Sequence, residues 1–462
     1  MGNEEVMNQD QYKPKILLAG PISFMSGYGE HARYILKILL KHQDKYDLHL
    51  APTSWANATF NARSLFGPEQ LKEIERLTVK TTEVVNSAKT DATRQFDLAI
   101  YVSVPNEWDF TTAHKFIGVT AGIETNICRQ DWVAAVLKAD QTWVVSKHSK
   151  FAFKTALDSY QNIQTNAWGS AGEMPEEASG HQRNVNKIVS DVKVIGFPVR
   201  EQLPNSKPLK VELPTTFNFL SINQLGPRKN VGTLLKEFLE TFKDNEEVGL
   251  VLKSHAQNHS NPDKYLCEKV LKEWISGITG GNESEYKCSV YLLHGNLNES
   301  ELRSLYVNDN IHCYVSPTHG EGFGLPLFEA ACAGMPIVTV PWSGQMDFLG
   351  LNDSKGYLFE RIRYSLDPVG SAADNTYISP NYKWAHPAPG ATGKAMKKVF
   401  TTFRIKQRQA QKLKTLIMKH PSFDSGDIER RILKSIDSVC GDMTESYSAR
   451  LSTSLLEGLE NL

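Results

Sequence analysis

Twice along this chain, apolar runs of four to seven residues alternate with stretches of helical periodicity, a pattern that a parallel sheet wrapped by helices accommodates and most other folds do not. In the first half the strand-like runs are Lys15–Ala19, Asp97–Ser103, Phe116–Thr120, Thr142–Val145 and Val192–Ile195. In the second they fall at 216–222, 248–252, 289–293, 311–316 and 336–340. The expected fold class is therefore α/β, with two doubly wound Rossmann-like domains facing a cleft. Residues 1–200 form the first, the Pro- and Lys-rich stretch 201–215 a linker, and 216–423 the second. Residues 424–462 make a helical segment expected to return to the first domain. Two stretches, Asn166–Asn186 and Asp367–Thr392, have the Gly, Pro, Ser and Asn content of surface excursions. Asn298-Glu-Ser-Glu301 reads as a helix start of capping-box type.

A chain of 462 residues can bury two proper cores, and 40% hydrophobic with 22% charged residues is ordinary for a globular protein. Net charge of -1 gives no global attraction to polyanions. The six cysteines include no Cys-x-x-Cys pair, so neither a zinc site nor a disulfide framework is expected, and a reducing cytoplasm fits best. The first residues lack the apolar core of a signal peptide, and no apolar run approaches the roughly 18 residues that span a bilayer.

Within the second half, residues 319–329 read His-Gly-Glu-Gly-Phe-Gly-Leu-Pro-Leu-Phe-Glu. They come after a strand and enter a helix, with Pro326 suited to its first turn and Gly334 and Pro336 to its end. Backbone N–H groups freed by Gly320, Gly322 and Gly324 and the positive helix end favour a phosphate, while Glu321 and Glu329 suit sugar hydroxyls, which a phosphate-only site would not need. Ligands in open α/β sheets bind at the carboxyl ends of strands. Arg228 and Lys229, Lys253, Gly295, Glu321 and Ser343 with Gly344 all come just after successive strands and so share one edge. Arg228 and Lys229 form the natural clamp for a diphosphate whose negative charge grows as the sugar leaves.

The pattern Glu321-x7-Glu329, continued through Ala330-Ala-Cys-Ala-Gly-Met-Pro-Ile-Val338 and Pro341-Trp-Ser-Gly344, resembles the signature of family 4 glycosyltransferases, retaining enzymes of the GT-B fold. The resemblance implies transfer of a sugar from a nucleotide sugar, a UDP-sugar by expectation, to an acceptor hydroxyl on a glycan, a lipid or modified DNA. It places Glu321 on the donor sugar and Glu329 on the ribose, with Gly322, Phe323, Gly324 and Leu325 around the donor. Lys229 matches the family lysine, whereas the family's first basic position is Gln224 here, so Arg228 is the expected substitute. Gly27 and Gly29 in Ser26–Arg33 resemble the first-domain loop that closes over the diphosphate. Attack on the face from which the diphosphate departs is the implied mechanism. No cofactor is expected, and no metal, because the chain has no Asp-x-Asp pair.

On the acceptor side, residues 117–149 resemble phage-encoded members of the family and nominate Glu124 and Thr125, with His31 nearby as a packed or capping residue. Between Ala391 and Phe423 stand nine Lys or Arg residues and no acid. Were 394–419 one helix, Lys394, Lys397, Arg404, Arg408, Lys412 and Lys419 would lie within roughly 80° of one another. That stripe is a solvated face or a surface for a polyanion, such as hydroxymethylated DNA or anionic lipid. A nucleotide-sugar 2-epimerase is the alternative from another reaction class, since fold does not dictate chemistry.

Overall fold

The computed structural model describes residues 12–55, 58, 60–87, 94–160, 180–200 and 209–441. The first sheet contains β1 (Lys15–Gly20), β2 (Asp47–Pro52), β3 (Phe96–Val102), β4 (Ala113–Thr120), β5 (Gln141–Val144) and β6 (Val192–Val194), in the order β2-β1-β3-β4-β5-β6 and parallel throughout. Its helices are α1 (Gly27–Lys41), α2 (Ala62–Leu65), α3 (Pro68–Ser87), α4 (Gln130–Lys138), α5 (Lys147–Ser159) and α6 (Gly180–Asp191). The second sheet contains β7 (Phe217–Gln224), β8 (Val248–His255), β9 (Ser289–Leu293), β10 (Cys313–Ser316), β11 (Ile337–Thr339) and β12 (Glu360–Arg361), parallel in the order β12-β11-β10-β7-β8-β9. Around it lie α7 (Val231–Phe242), α8 (Asn261–Thr279), α9 (Glu299–Tyr306), α10 (Leu325–Ala333), α11 (Met346–Leu349), α12 (Ala391–Thr401) and α13 (Phe403–Met418), with an antiparallel hairpin of β13 (Tyr364–Pro368) and β14 (Lys383–Pro387).

Both sheets are doubly wound, so each has a point where strand order reverses and opens a crevice at the carboxyl edge. In the first it lies between β1 and β3; in the second, between β7 and β10. Apolar residues on both faces explain the run-like strands: Ile16, Leu18 and Ile100 pack on one side of the first sheet, Leu17, Ala99 and Phe116 on the other. Residues 425–441 are helical and belong to the first domain's core, where Ile428, Ile432 and Ile436 join Ile35 and Leu39. Trp143 Nε1 donates to Ser435 Oγ at 2.8 Å, and Lys41 pairs with Glu429 at 2.7 Å. The chain thus crosses between the two domains twice.

Several expectations need correction. β2 escapes a search for apolar runs because Asp47-Leu-His-Leu-Ala-Pro52 alternates polar and apolar residues at a sheet edge, with His49 wholly buried. Residues 161–179 lie outside those described, but Gly180–Asp191 is helix rather than excursion. Nor is 367–392 a free loop. The hairpin reaches the first domain, where Asn126 N donates to Lys383 O at 2.8 Å, Tyr160 and Tyr382 share a hydroxyl contact of 3.0 Å, and Tyr377 packs on Trp132. Of the linker stretch, 201–208 lies outside the described residues, and 209–215 is irregular but packed, with Leu209 N donating to Ser304 Oγ. The capping box at Asn298 and Glu301 is formed.

The single helix over 394–419 does not exist. Thr402 leaves helical geometry at φ -121° and ψ 29°, and its hydroxyl donates to Lys398 O at 2.7 Å, a side-chain bond that competes with the helical ladder. Phe400 and Phe403 flank the break and bury edge-on against Phe217. Only Arg404, Arg408, Lys412 and Lys419 keep the stripe, opposite the buried Ala410, Leu413 and Ile417 of α13. Among the described residues no helix is long and apolar enough to cross a membrane.

Candidate active site

The β7–β10 crevice concentrates the charge. β7 ends in a turn that carries Arg228 and Lys229 toward the loop after β10. Lys229 Nζ donates to both carboxylate oxygens of Glu321, at 2.7 and 2.8 Å. Arg228 Nη1 reaches Gly320 O at 2.7 Å and Glu321 Oε2 at 3.1 Å, and lies 3.4 Å from Glu124 Oε1 of the facing domain. Burial alone would raise the Glu321 carboxyl, but Lys229 and Arg228 outweigh it and hold the group at about 2. Lys229 moves down, through burial first and the neighbouring guanidinium second. Gln224 turns away and donates to Ala256 O, so Arg228 is the second cation at Glu321.

The glycine-rich loop is held by its backbone. Glu321 N donates to Ser343 Oγ at 2.8 Å, and Ser343 Oγ donates to the buried Gln345 Oε1 at the same distance. Ser343 adopts φ 71°, a conformation costly for a residue with a Cβ, while making both bonds. Gly344 has no alternative, since a Cβ there would meet Gly322 O at 1.9 Å. Gly324, at φ 89°, turns the chain into α10, and Gly334, at φ 80°, ends it. Leu325 opens the helix half-buried, whereas the Phe323 ring is core, packed on Phe197, Phe328 and Phe348. The Phe323 backbone, not its ring, remains for a ligand.

Glu329 lies one turn into α10, half-buried, with Tyr306 donating its hydroxyl at 3.0 Å and Arg200 Nη1 at 3.2 Å. Arg200 also pairs with Glu30 of α1 at 2.7 Å, so this ion cluster bridges the two domains. Sequence reading missed both Arg200 and Tyr306. Arg200 stands at the last position before the linker, beside no motif. Burial raises the Glu329 carboxyl and Arg200 opposes that rise. Lys253 is buried, donates to Gly295 O at 2.8 Å, and is pushed down by burial to about 8.

The facing edge of the first domain is less open to a ligand. Gly29 N caps on Ser26 Oγ, while Gly27 has free space around it. Thr125 is fully buried and donates to Ile127 O, so it braces a loop rather than facing the cleft. His31 is buried against Phe197 and pushed down to about 4 by burial, hence a neutral core residue. Of the acceptor-side candidates, Glu124 alone meets the β7–β10 cluster. Ala121 and Glu124 press on the loop itself: a Cβ on Gly320 would lie 2.6 Å from Glu124 O, and one on Gly322 would lie 3.0 Å from Ala121 O. His319, at the loop's start, stacks on Trp384 at 4.5 Å and contacts Ala385 O at 2.6 Å, which couples the hairpin to the site.

Comparison with known proteins agrees with this architecture. Residues 207–363 match the family described as glycosyl transferases group 1, so the chain carries a group 1 glycosyltransferase domain. A probable sucrose-phosphate synthase of Thermosipho melanesiensis is 25% identical over 138 residues, which span 29% of this chain and 29% of that protein. Among solved structures, the sucrose-phosphate synthase of Thermosynechococcus elongatus superposes with a TM-score of 0.53 at 13% identity, covering 93% of this chain and 100% of that one. A trehalose-6-phosphate protein from E. coli bound with UDP-2-fluoro glucose gives 0.52 at 11% identity, covering 91% and 98%. The two-domain fold is that of the GT-B glycosyltransferases.

Proposed function

We propose that the chain is a retaining glycosyltransferase that moves a sugar from a nucleoside diphosphate sugar, a UDP-sugar, to an acceptor hydroxyl. The observation that carries this reading is the Lys229–Glu321–Arg228 cluster, built on a buried carboxylate in the β7–β10 crevice, beside a glycine-rich loop and the start of α10. Two fixed cations and a helix N-terminus match the charge that develops on a departing diphosphate, and Glu321 can bond sugar hydroxyls. UDP-2-fluoro glucose bound to the E. coli protein of the same fold supports the choice of donor.

In the described form Arg228 is shared with Glu124, and Ala121 and Glu124 lie on the glycine-rich loop. Donor binding therefore requires the domains to part there, and the diphosphate takes the place of Glu124 at Arg228. Once that exchange is made, Glu124 is free to face the acceptor. The incoming hydroxyl attacks the anomeric carbon on the side the diphosphate leaves, its proton passing to the released phosphate oxygen. Glu329 meets the ribose only by giving up its bond to Tyr306 or Arg200. A panel of nucleotide sugars assayed by release of nucleoside diphosphate tests the reading, and a protein that neither binds nor turns over any of them would sink it. Conversion of a donor to its epimer without acceptor would establish the isomerase instead.

A polyanionic acceptor is favoured by one observation. Arg404, Arg408, Lys412 and Lys419 are exposed along one side of α13, and no ion pair of theirs is seen among the described residues. On this second reading hydroxymethylated DNA is the acceptor. Nucleoside mass spectrometry after incubation with enzyme and donors would show a glycosylated base; none would appear if the acceptor is a free glycan or a lipid.

A further inference from the structure

Beyond Lys253, on the β8–β9 side of the second sheet, three side chains of different chemistry converge. Asp263 and Cys267 stand one turn apart on α8, and His294 comes directly after β9. Their ligand atoms all lie within 4.8 Å of one another: Asp263 Oδ2 is 2.9 Å from His294 Nε2 and 3.8 Å from Cys267 Sγ. All three side chains are buried, with at most 3% exposure for Asp263 and His294 and none for Cys267. A carboxylate, a thiol and an imidazole on one tetrahedral zinc ion would stand roughly 3.3 to 3.6 Å apart, so only small shifts separate these atoms from a coordination shell.

We propose that Asp263, Cys267 and His294 bind a structural zinc ion, with His259 as the fourth ligand. His259 lies four residues before Asp263, and its Nδ1 is buried without a hydrogen-bond partner. Its ring centroid is 6.0 Å from that of His294, close to the roughly 5 to 6 Å between two imidazoles on one zinc ion. A hydrogen-bond cluster explains part of the geometry, since Asp263 also accepts from Ala256 N at 3.1 Å and Gln257 N at 2.7 Å. It leaves the His259 nitrogen unsatisfied and the thiol at a weak 3.8 Å. With the ion, those backbone donors orient a ligating carboxylate, the role that outer-shell groups play at metal sites. Binding releases the thiol proton to solvent, and thiolate plus carboxylate neutralise the divalent charge.

Thiolate, imidazole and carboxylate at four positions select zinc over magnesium or calcium, which prefer oxygen ligands throughout. The spacing His-x3-Asp-x3-Cys with a distant histidine evades a search for paired cysteines, which is why no zinc site is expected from cysteine spacing alone. The site would tie the loop after β8 to the end of β9, and through Gly295 would steady the carbonyl that holds Lys253.

The test uses the full chain, purified without chelator. Elemental analysis should find about one zinc per chain. Replacement by cobalt should give a near-ultraviolet thiolate-to-cobalt charge-transfer band that Cys267→Ser abolishes and Cys332→Ser keeps. His294→Gln, which should lose at least tenfold in zinc affinity, carries the same test if Cys267→Ser does not fold. A wild-type chain that holds no stoichiometric zinc and shows no such band with cobalt overturns the proposal, as does a band that survives Cys267→Ser. Either result leaves the donor reading untouched, because none of the four ligands belongs to the Lys229–Glu321–Arg228 cluster.

Discussion

The two sheets offer the same kind of crevice and fill it differently. At the β1–β3 reversal, contacts stay largely within the first domain: Arg33 donates to Ile22 O and Phe24 O and pairs with Glu30, the Tyr28 hydroxyl contacts Thr120 Oγ1 and accepts from Ala121 N, and His31 is sealed in the core with its Nε2 unpartnered. At the β7–β10 reversal, a buried carboxylate holds two half-buried cations, and one cation is shared across the cleft. A crevice whose charges pair mostly within their own domain is a finished wall. Charges held out of water at the other are costly unless paired, and pairing by exchange is what an anionic ligand can supply. On the proposed function, the second domain would carry the donor chemistry and the first the surface that closes on it.

Lys229→Ala should break this contrast most severely. Turnover is expected to fall roughly 100- to 1000-fold, the cost of removing one preorganised charge stabiliser. The lysine is half-buried on the buried Glu321 carboxylate rather than in a solvated turn, so stability should also drop by about 1 to 2 kcal/mol as Glu321 loses its main partner. Steady-state kinetics with thermal melts would separate the two effects, and wild-type turnover would move the clamp elsewhere. Glu321→Gln comes next, with turnover reduced about 10- to 100-fold and binding of bare nucleoside diphosphate spared.

The same substitution has a pH signature. Because folding lowers the Glu321 carboxyl from its ordinary range to about 2, its contribution to stability is complete above that range and is lost as pH falls toward 2. Acid unfolding monitored by circular dichroism should show less pH dependence below pH 4.5 in Glu321→Gln than in the parent. An unchanged slope would mean the cluster is not charged as described.

Arg200→Ala sharpens the comparison from the hinge side. It removes a half-buried cation shared by Glu30 and Glu329, and should cost about 1 to 2 kcal/mol in stability while reducing turnover less than Lys229→Ala does. If Glu329 bonds ribose, Glu329→Ala should weaken nucleoside diphosphate binding by calorimetry; equal affinity would confine Glu329 to the interdomain cluster. The smallest effect belongs to His31→Leu, an apolar replacement of a neutral buried ring, expected within about 1.5 kcal/mol by thermal melt and without change in the pH profile of turnover. A changed profile would give His31 a chemical role.

Legibility in the sequence divides along the same line. Strands buried on both faces are apolar runs, and a site at their carboxyl ends can be read from the residues just beyond each run; hence Arg228, Lys229, Glu321 and Ser343 were all legible as neighbours on one edge. β2 was hidden by polar alternation at an edge, and the break at Thr402 by a hydroxyl that any helix propensity would tolerate. Arg200, Tyr306 and the hairpin at Trp384 act across the two domains, and no local spacing encodes a partner that far away in the chain. The pairing of Glu124 with Arg228 is of the same kind, since either residue alone reads as a surface charge.

Calorimetric titration of the purified chain with UDP, repeated on Lys229→Ala, tests the central claim most directly. The account predicts saturable binding of UDP to the parent and at least a tenfold weaker association in the variant, the least expected from loss of a charge-assisted phosphate contact. UDP binding of equal strength in both proteins would contradict it, because the diphosphate would then sit somewhere other than the β7–β10 crevice.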